Sequence, residues 1–166
     1  MILFLDFDGT LHPLWTPVSG RRKNVMQAYN GPWLTEADTL AKILAPYGDE
    51  VRIVIASLWA KRLELDELRA LMPHELQQKI LDAIWTPRDD PTLTPQGKFD
   101  AIQAWLERAE LTQDWLALDD DARGWPPEFE NRLVVADGTL ANVLVQQQLV
   151  RSLSVLASLS PPLHRC

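Results

Sequence analysis

Ile2-Leu3-Phe4-Leu5-Asp6-Phe7-Asp8-Gly9-Thr10 runs four apolar residues straight into two aspartates and a turn. A short run that is apolar at every position, rather than at alternate ones, is the pattern of a strand buried on both faces of a parallel sheet. Working outward, Val51 to Ala56 repeats the pattern, Trp115 to Leu118 is a third run and Arg132 to Val135 a fourth, while Leu81 to Trp85 reads either as a fifth strand or as helix. Segments of helical spacing separate these runs. Thr35 to Leu44 begins with a capping-type Thr-Glu-Ala-Asp and aligns Leu40, Ile43 and Leu44. Leu58 to Leu71 repeats leucine at 63, 65, 68 and 71, and Lys98 to Ala109 aligns Phe99, Ile102, Trp105 and Leu106. Strands alternating with helices predict an α/β fold, a Rossmann-like three-layer sandwich with a mainly parallel sheet.

At 166 residues, 46% apolar and 23% charged, the chain has the length and composition of one globular domain. The expected boundaries are residues 1–158, with 159–166 a frayed tail. A net charge of −7 excludes broad, non-specific attraction to nucleic acid or to an anionic membrane. The one cysteine, Cys166, leaves no internal disulfide, and the run Met1 to Leu5 is too short for a signal peptide. Leu140 to Leu159 is strongly apolar, but Gln146, Gln147, Gln148 and Arg151 argue against a membrane span. A cytoplasmic location is the expectation. Two irregular stretches stand out: His12 to Pro32, with the basic trio Arg21, Arg22 and Lys23, and Thr86 to Gly97, with Pro87, Pro91 and Pro95.

In an open parallel sheet, ligands bind beyond the carboxyl ends of the strands. There the first strand delivers Asp6 and Asp8, the second Ser57, and the third Asp119, Asp120 and Asp121, while Lys98 opens the helix before that third strand. Crowded carboxylates call for a divalent cation, and hard oxygen ligands suit Mg²⁺, which keeps coordination sites for water and phosphate oxygens. A hydroxyl and an ammonium beside it can take the remaining phosphoryl oxygens.

Asp6-Phe7-Asp8-Gly9-Thr10 after an apolar strand resembles the first motif, DxDGT, of the haloacid dehalogenase (HAD) superfamily. Ser57 resembles its second motif, Lys98 its third and Leu118-Asp119-Asp120 its acidic fourth, in the order the superfamily has them. Within it, Ser57-Leu58-Trp59 and the aspartate triplet look similar to the HAD domains of Swiss-Army-Knife RNA-repair proteins, with Ala60 where that pattern has an arginine. The resemblance implies a HAD-like fold with no large cap domain. It also implies Mg²⁺-dependent phosphomonoester hydrolysis through an aspartyl-phosphate on Asp6, with Asp8 as acid and then base. Ser57 and Lys98 would hold the phosphoryl group and Thr10 would brace the first loop. The metal would be held by Asp6, the Asp8 carbonyl and the fourth motif, with Asp120 favoured, Asp119 close and Asp121 outside.

Bland alternatives exist for each residue. Asp-Gly after a strand is also a turn signal, an aspartate triplet can be a solvated cap, Ser57 can simply cap a helix, and Lys98 competes with Lys61, Arg62 and Arg88. His12 is expected to be structural, as are Trp105 and Trp115 in the core. Trp15, Trp33 and Trp59 lie near the site, where an aromatic face can stack on a base. The expected partner is a phosphorylated substrate of unknown size, a nucleic-acid end or nucleotide among the candidates. Two other functions fit the same residues: a HAD-fold binding domain with little or no turnover, and a phosphotransferase using the same intermediate.

Overall fold

Ile2–Leu5 (β1) is the central strand of the sheet in a computed structural model, which describes residues 1–13, 33–111 and 114–159. Residues 14–32, with Trp15, Arg21, Arg22 and Lys23, residues 112–113 and residues 160–166 lie outside the described residues. All four residues of β1 are buried, as their uninterrupted apolar character demands. Arg52–Ile55 (β2), Ile80–Ala83 (β3), Trp115–Asp119 (β4) and Leu133–Val135 (β5) complete a sheet of order β3-β2-β1-β4-β5. Every pairing in it is parallel. The segment that read as strand or helix is therefore strand, lengthening the sheet beyond β2.

The register brings the strand ends together. Leu5 pairs with Ile55 on one side and Leu118 on the other, and Asp119 pairs with Val135. The chain order reverses direction at β1, and in sheets of this kind the ligand site lies beyond the carboxyl ends of the strands at that point.

The helices are Ala37–Leu44 (α1), Leu65–Ala70 (α2), His74–Gln77 (α3), Lys98–Arg108 (α4) and Val143–Leu159 (α5). Trp105 of α4 sets its ring edge-on to Phe4 of β1 at 5.5 Å, and Trp115 does the same from β4 at 5.8 Å. Both tryptophans are in the core, as expected.

Two sequence expectations are corrected. Leu58 to Leu71 is not one helix: a 3-10 turn at Leu58–Lys61 ends at Arg62, and α2 starts afresh at a capping box in which Glu64 and Glu67 satisfy each other's backbone. Thr35 does not cap α1, which begins at Ala37 after Glu36 with no side-chain cap. The apolar stretch after Leu140 is a surface helix, α5, which buries Val145, Leu149, Leu153 and Leu156 on one stripe. Its exposed side carries Val143, Leu144, Val150 and Val155, and that masks the period. Among the described residues, no helix is long and apolar enough to cross a membrane.

Candidate active site

The turn after β1 is tight because the Phe7 carbonyl accepts from the amides of Thr10, Leu11 and His12, at 3.2, 2.9 and 2.8 Å. Gly9 has φ +77, and a Cβ there would overlap the carboxylate of Asp120. Glycine is thus needed twice, for its conformation and because the fourth-motif loop lies directly on its Cα. Thr10 is fully buried, and its carbonyl accepts from the Leu140 amide at 2.8 Å, tying this turn to the segment before α5. Gly9→Ala is expected to cost about 1–2 kcal/mol through the positive φ and the displaced Asp120. It should also lower turnover at least tenfold, on the order of one misplaced ligand; thermal melts and initial rates check both.

Asp6 and Asp119 are buried, and the ammonium of Lys98 sits between them, 3.2 Å from Asp6 Oδ1 and 2.5 Å from Asp119 Oδ2. Lys98 is the first residue of α4, where the helix dipole disfavours a cation. The two carboxylates supply the reason for its placement. Burial alone would lower the Lys98 pKa, but Asp6 and Asp119 raise it above its ordinary value. Burial pushes Asp6 up to about 7 against the pull of Lys98, and raises Asp119 and the half-buried Asp120 as well. Asp6, Asp119 and Asp120 each bring a carboxylate oxygen within 4.8 Å of the others, a grouping that can hold a metal ion.

Asp121 stands apart. Its amide donates to Asp119 Oδ1 at 3.0 Å, while its carboxylate accepts from the Arg123 guanidinium and is held down at about 2 by that hydrogen bond. An exposed ion pair of this kind contributes little, so Asp121→Asn is expected to leave turnover within about twofold; the same rate assay decides it. Lys61 and Arg88 are engaged elsewhere. Lys61 lies 4.2 Å over the Trp85 ring and bonds Gln96, and Arg88 pairs with Glu64.

Asp8 is half-buried, and its Oδ2 accepts a hydrogen bond from the indole Nε1 of Trp59 at 2.8 Å. Ser57 is fully buried, and its hydroxyl accepts from the Trp59 amide at 3.4 Å, capping the turn that carries the tryptophan. Ser57 stands one residue past Ala56, whose amide bonds the Leu5 carbonyl, so it lies at the sheet edge beside Asp6. His12 is buried between Trp33 and Trp59, and burial lowers its pKa. With 5% of its surface exposed, Trp59 offers no open face to a base, unlike the expectation, whereas Trp33 is partly exposed.

Asp6, Asp119, Asp120 and Lys98 therefore meet, Asp8 and Ser57 are joined through Trp59, and Thr10 anchors the turn. The link from Asp8 to Trp59 and the seat of Asp120 on Gly9 were not anticipated. Their only sequence signals are a tryptophan two residues after Ser57 and the glycine after Asp8. A family model described as "HAD domain in Swiss Army Knife RNA repair proteins" matches residues 2–141, a span that includes every residue of this cluster. Comparison with curated proteins finds no match, and comparison with solved structures finds none.

Proposed function

The chain belongs to the family of HAD domains in Swiss Army Knife RNA repair proteins, and from that membership we propose that it hydrolyses phosphomonoesters through an aspartyl-phosphate on Asp6. HAD-type hydrolase chemistry accompanies the family; the nucleophile, the metal and the substrate are our reading. One observation carries it: a buried aspartate at the end of the central strand, 3.2 Å from a lysine ammonium and grouped with two further carboxylates.

The residues present suit Mg²⁺. Three carboxylates around a single ammonium leave an excess of negative charge in a largely buried site, and their oxygens are hard donors. Asp6, Asp119, Asp120 and the Asp8 carbonyl would hold the ion. When bound, it offsets charge between the carboxylates and the phosphoryl oxygens. Asp6 attacks phosphorus in line, forming its O–P bond as the ester P–O bond breaks, while Asp8 gives a proton to the departing oxygen. Asp8 then takes a proton from water as that water attacks phosphorus, releasing phosphate and restoring the Asp6 carboxylate. Lys98 and Ser57 hold the phosphoryl oxygens, and Thr10 steadies the loop between the two aspartates.

The substrate is a phosphorylated group on a nucleic-acid end, a nucleotide or another large molecule admitted by an open entrance. Phosphate release from a panel of phosphomonoesters, 3′-phosphate oligonucleotides included, tests this with Mg²⁺ and with chelator. Release at an unchanged rate in chelator would falsify the metal requirement; the expected loss is about 100-fold or more.

A further inference from the structure

We propose that Trp59 is a positioning residue that fixes the orientation of the Asp8 carboxyl group, and so which of its oxygens faces the departing ester oxygen. The inference rests on the hydrolase reading above. An indole N–H can donate a hydrogen bond and cannot accept one. While Trp59 Nε1 donates to Asp8 Oδ2 at 2.8 Å, that oxygen cannot itself carry the proton toward the indole. The carboxyl group is thereby oriented, with Oδ2 held toward the indole and Oδ1 left as the oxygen that meets the departing ester oxygen.

The donor is itself held in place. Its amide is bonded to Ser57 Oγ, and its ring meets Phe7 edge-on at 5.5 Å and 87°, Trp33 at 5.3 Å and 87°, and His12 at 5.8 Å and 67°. A ring enclosed on these sides and 5% exposed has one rotamer, so its N–H direction is set by packing. Proton transfer is sensitive to such alignment, because the acid must lie within hydrogen-bond reach of the departing oxygen.

The step affected is the one in which the Asp8 O–H bond breaks, its proton going to the ester oxygen as the P–O bond to that oxygen breaks. A poor leaving group such as an alkoxide needs the proton; p-nitrophenolate leaves with little help. Trp59→Phe, assayed in the full chain with Mg²⁺, is expected to lower kcat on glycerol phosphate about 30-fold and on p-nitrophenyl phosphate no more than about threefold, with KM little changed. Equal losses on both esters, or none, would overturn the role of Trp59 while leaving the hydrolase reading intact. A wild-type chain that cleaves neither ester, nor any other phosphomonoester, sinks that reading and this one with it.

A second measurement does not depend on the variant's folding or on turnover. Of the indole N–H resonances from the seven tryptophans, one is expected to shift and to lose exchange protection in Asp8→Ala, without any metal added. An indole spectrum that Asp8→Ala leaves unmoved overturns the proposal.

Discussion

Asp6→Asn is expected to abolish phosphate release, by about 10,000-fold or more, because an amide cannot form the aspartyl-phosphate. The same substitution should flatten the pH dependence of stability in the metal-free protein. In the folded state Asp6 is raised to about 7, mainly by burial, while in the unfolded chain it has an ordinary value near ~3.9. A carboxyl whose folded value is raised binds its proton more tightly when folded, so its stabilising contribution is complete at low pH. That contribution is lost as pH rises through the interval between the two values. A separation of this size corresponds to roughly 2–4 kcal/mol. In chelator, the melting temperature of the wild type should therefore fall between about pH 4 and pH 7, and Asp6→Asn should remove much of that fall. Mg²⁺ should also remove it, by pairing the ionised form. A fall of equal size in both proteins would show that Asp6 is not the group responsible.

Replacing Lys98 by Met is expected to have the next largest effect. Asp6 and Asp119 would then face each other in the interior without the ammonium now 3.2 and 2.5 Å from them. Removing one member of a buried ion pair strands the other, at about 3–5 kcal/mol. The urea midpoint of the metal-free protein at neutral pH should drop accordingly, and recover on acidification as the carboxyls take up protons. Turnover should fall about 100- to 1,000-fold, the scale of losing one fixed charge at the transferring group. Lys98→Arg separates the two effects: it keeps a cation for the carboxylates, so most of the stability should return, while the broader guanidinium in a space shaped for an ammonium should leave turnover low. Full activity in Lys98→Met would remove Lys98 from the mechanism.

Much of the site was legible before any fold was known, for local reasons. Asp6 and Asp8 follow a run that only a buried strand explains, and Lys98 begins a segment with clear helical spacing. Where the reading failed, competing local signals were at work. The leucines from 63 to 71 suggested a continuous helix, but Ser57 caps a turn that the chain leaves at Arg62, and the box of Glu64 and Glu67 begins another. In α5 the exposed Val143, Leu144, Val150 and Val155 blurred the buried stripe, so a surface helix looked like an apolar block. The aspartate triplet was ranked only through the family resemblance, with Asp120 favoured, Asp119 close and Asp121 outside, because adjacent side chains diverge according to the turn. Asp119 turns inward to Lys98, Asp120 lies over Gly9 and Asp121 meets Arg123.

The chain's own sequence determined four of its five strands, the parallel α/β class and the order in which acidic, hydroxyl and ammonium groups arrive at strand ends. Those are properties of consecutive residues, since period and composition are written in neighbours. Strand order β3-β2-β1-β4-β5 was decided in three dimensions. So were the meeting of Lys98 with Asp6 and Asp119, the glycine beneath Asp120 and the indole on Asp8. Each joins residues far apart in the chain, and such contacts depend on register and on the shape of the packed core. A shift of one residue in one strand would turn its side chains to the opposite face and dissolve the cluster.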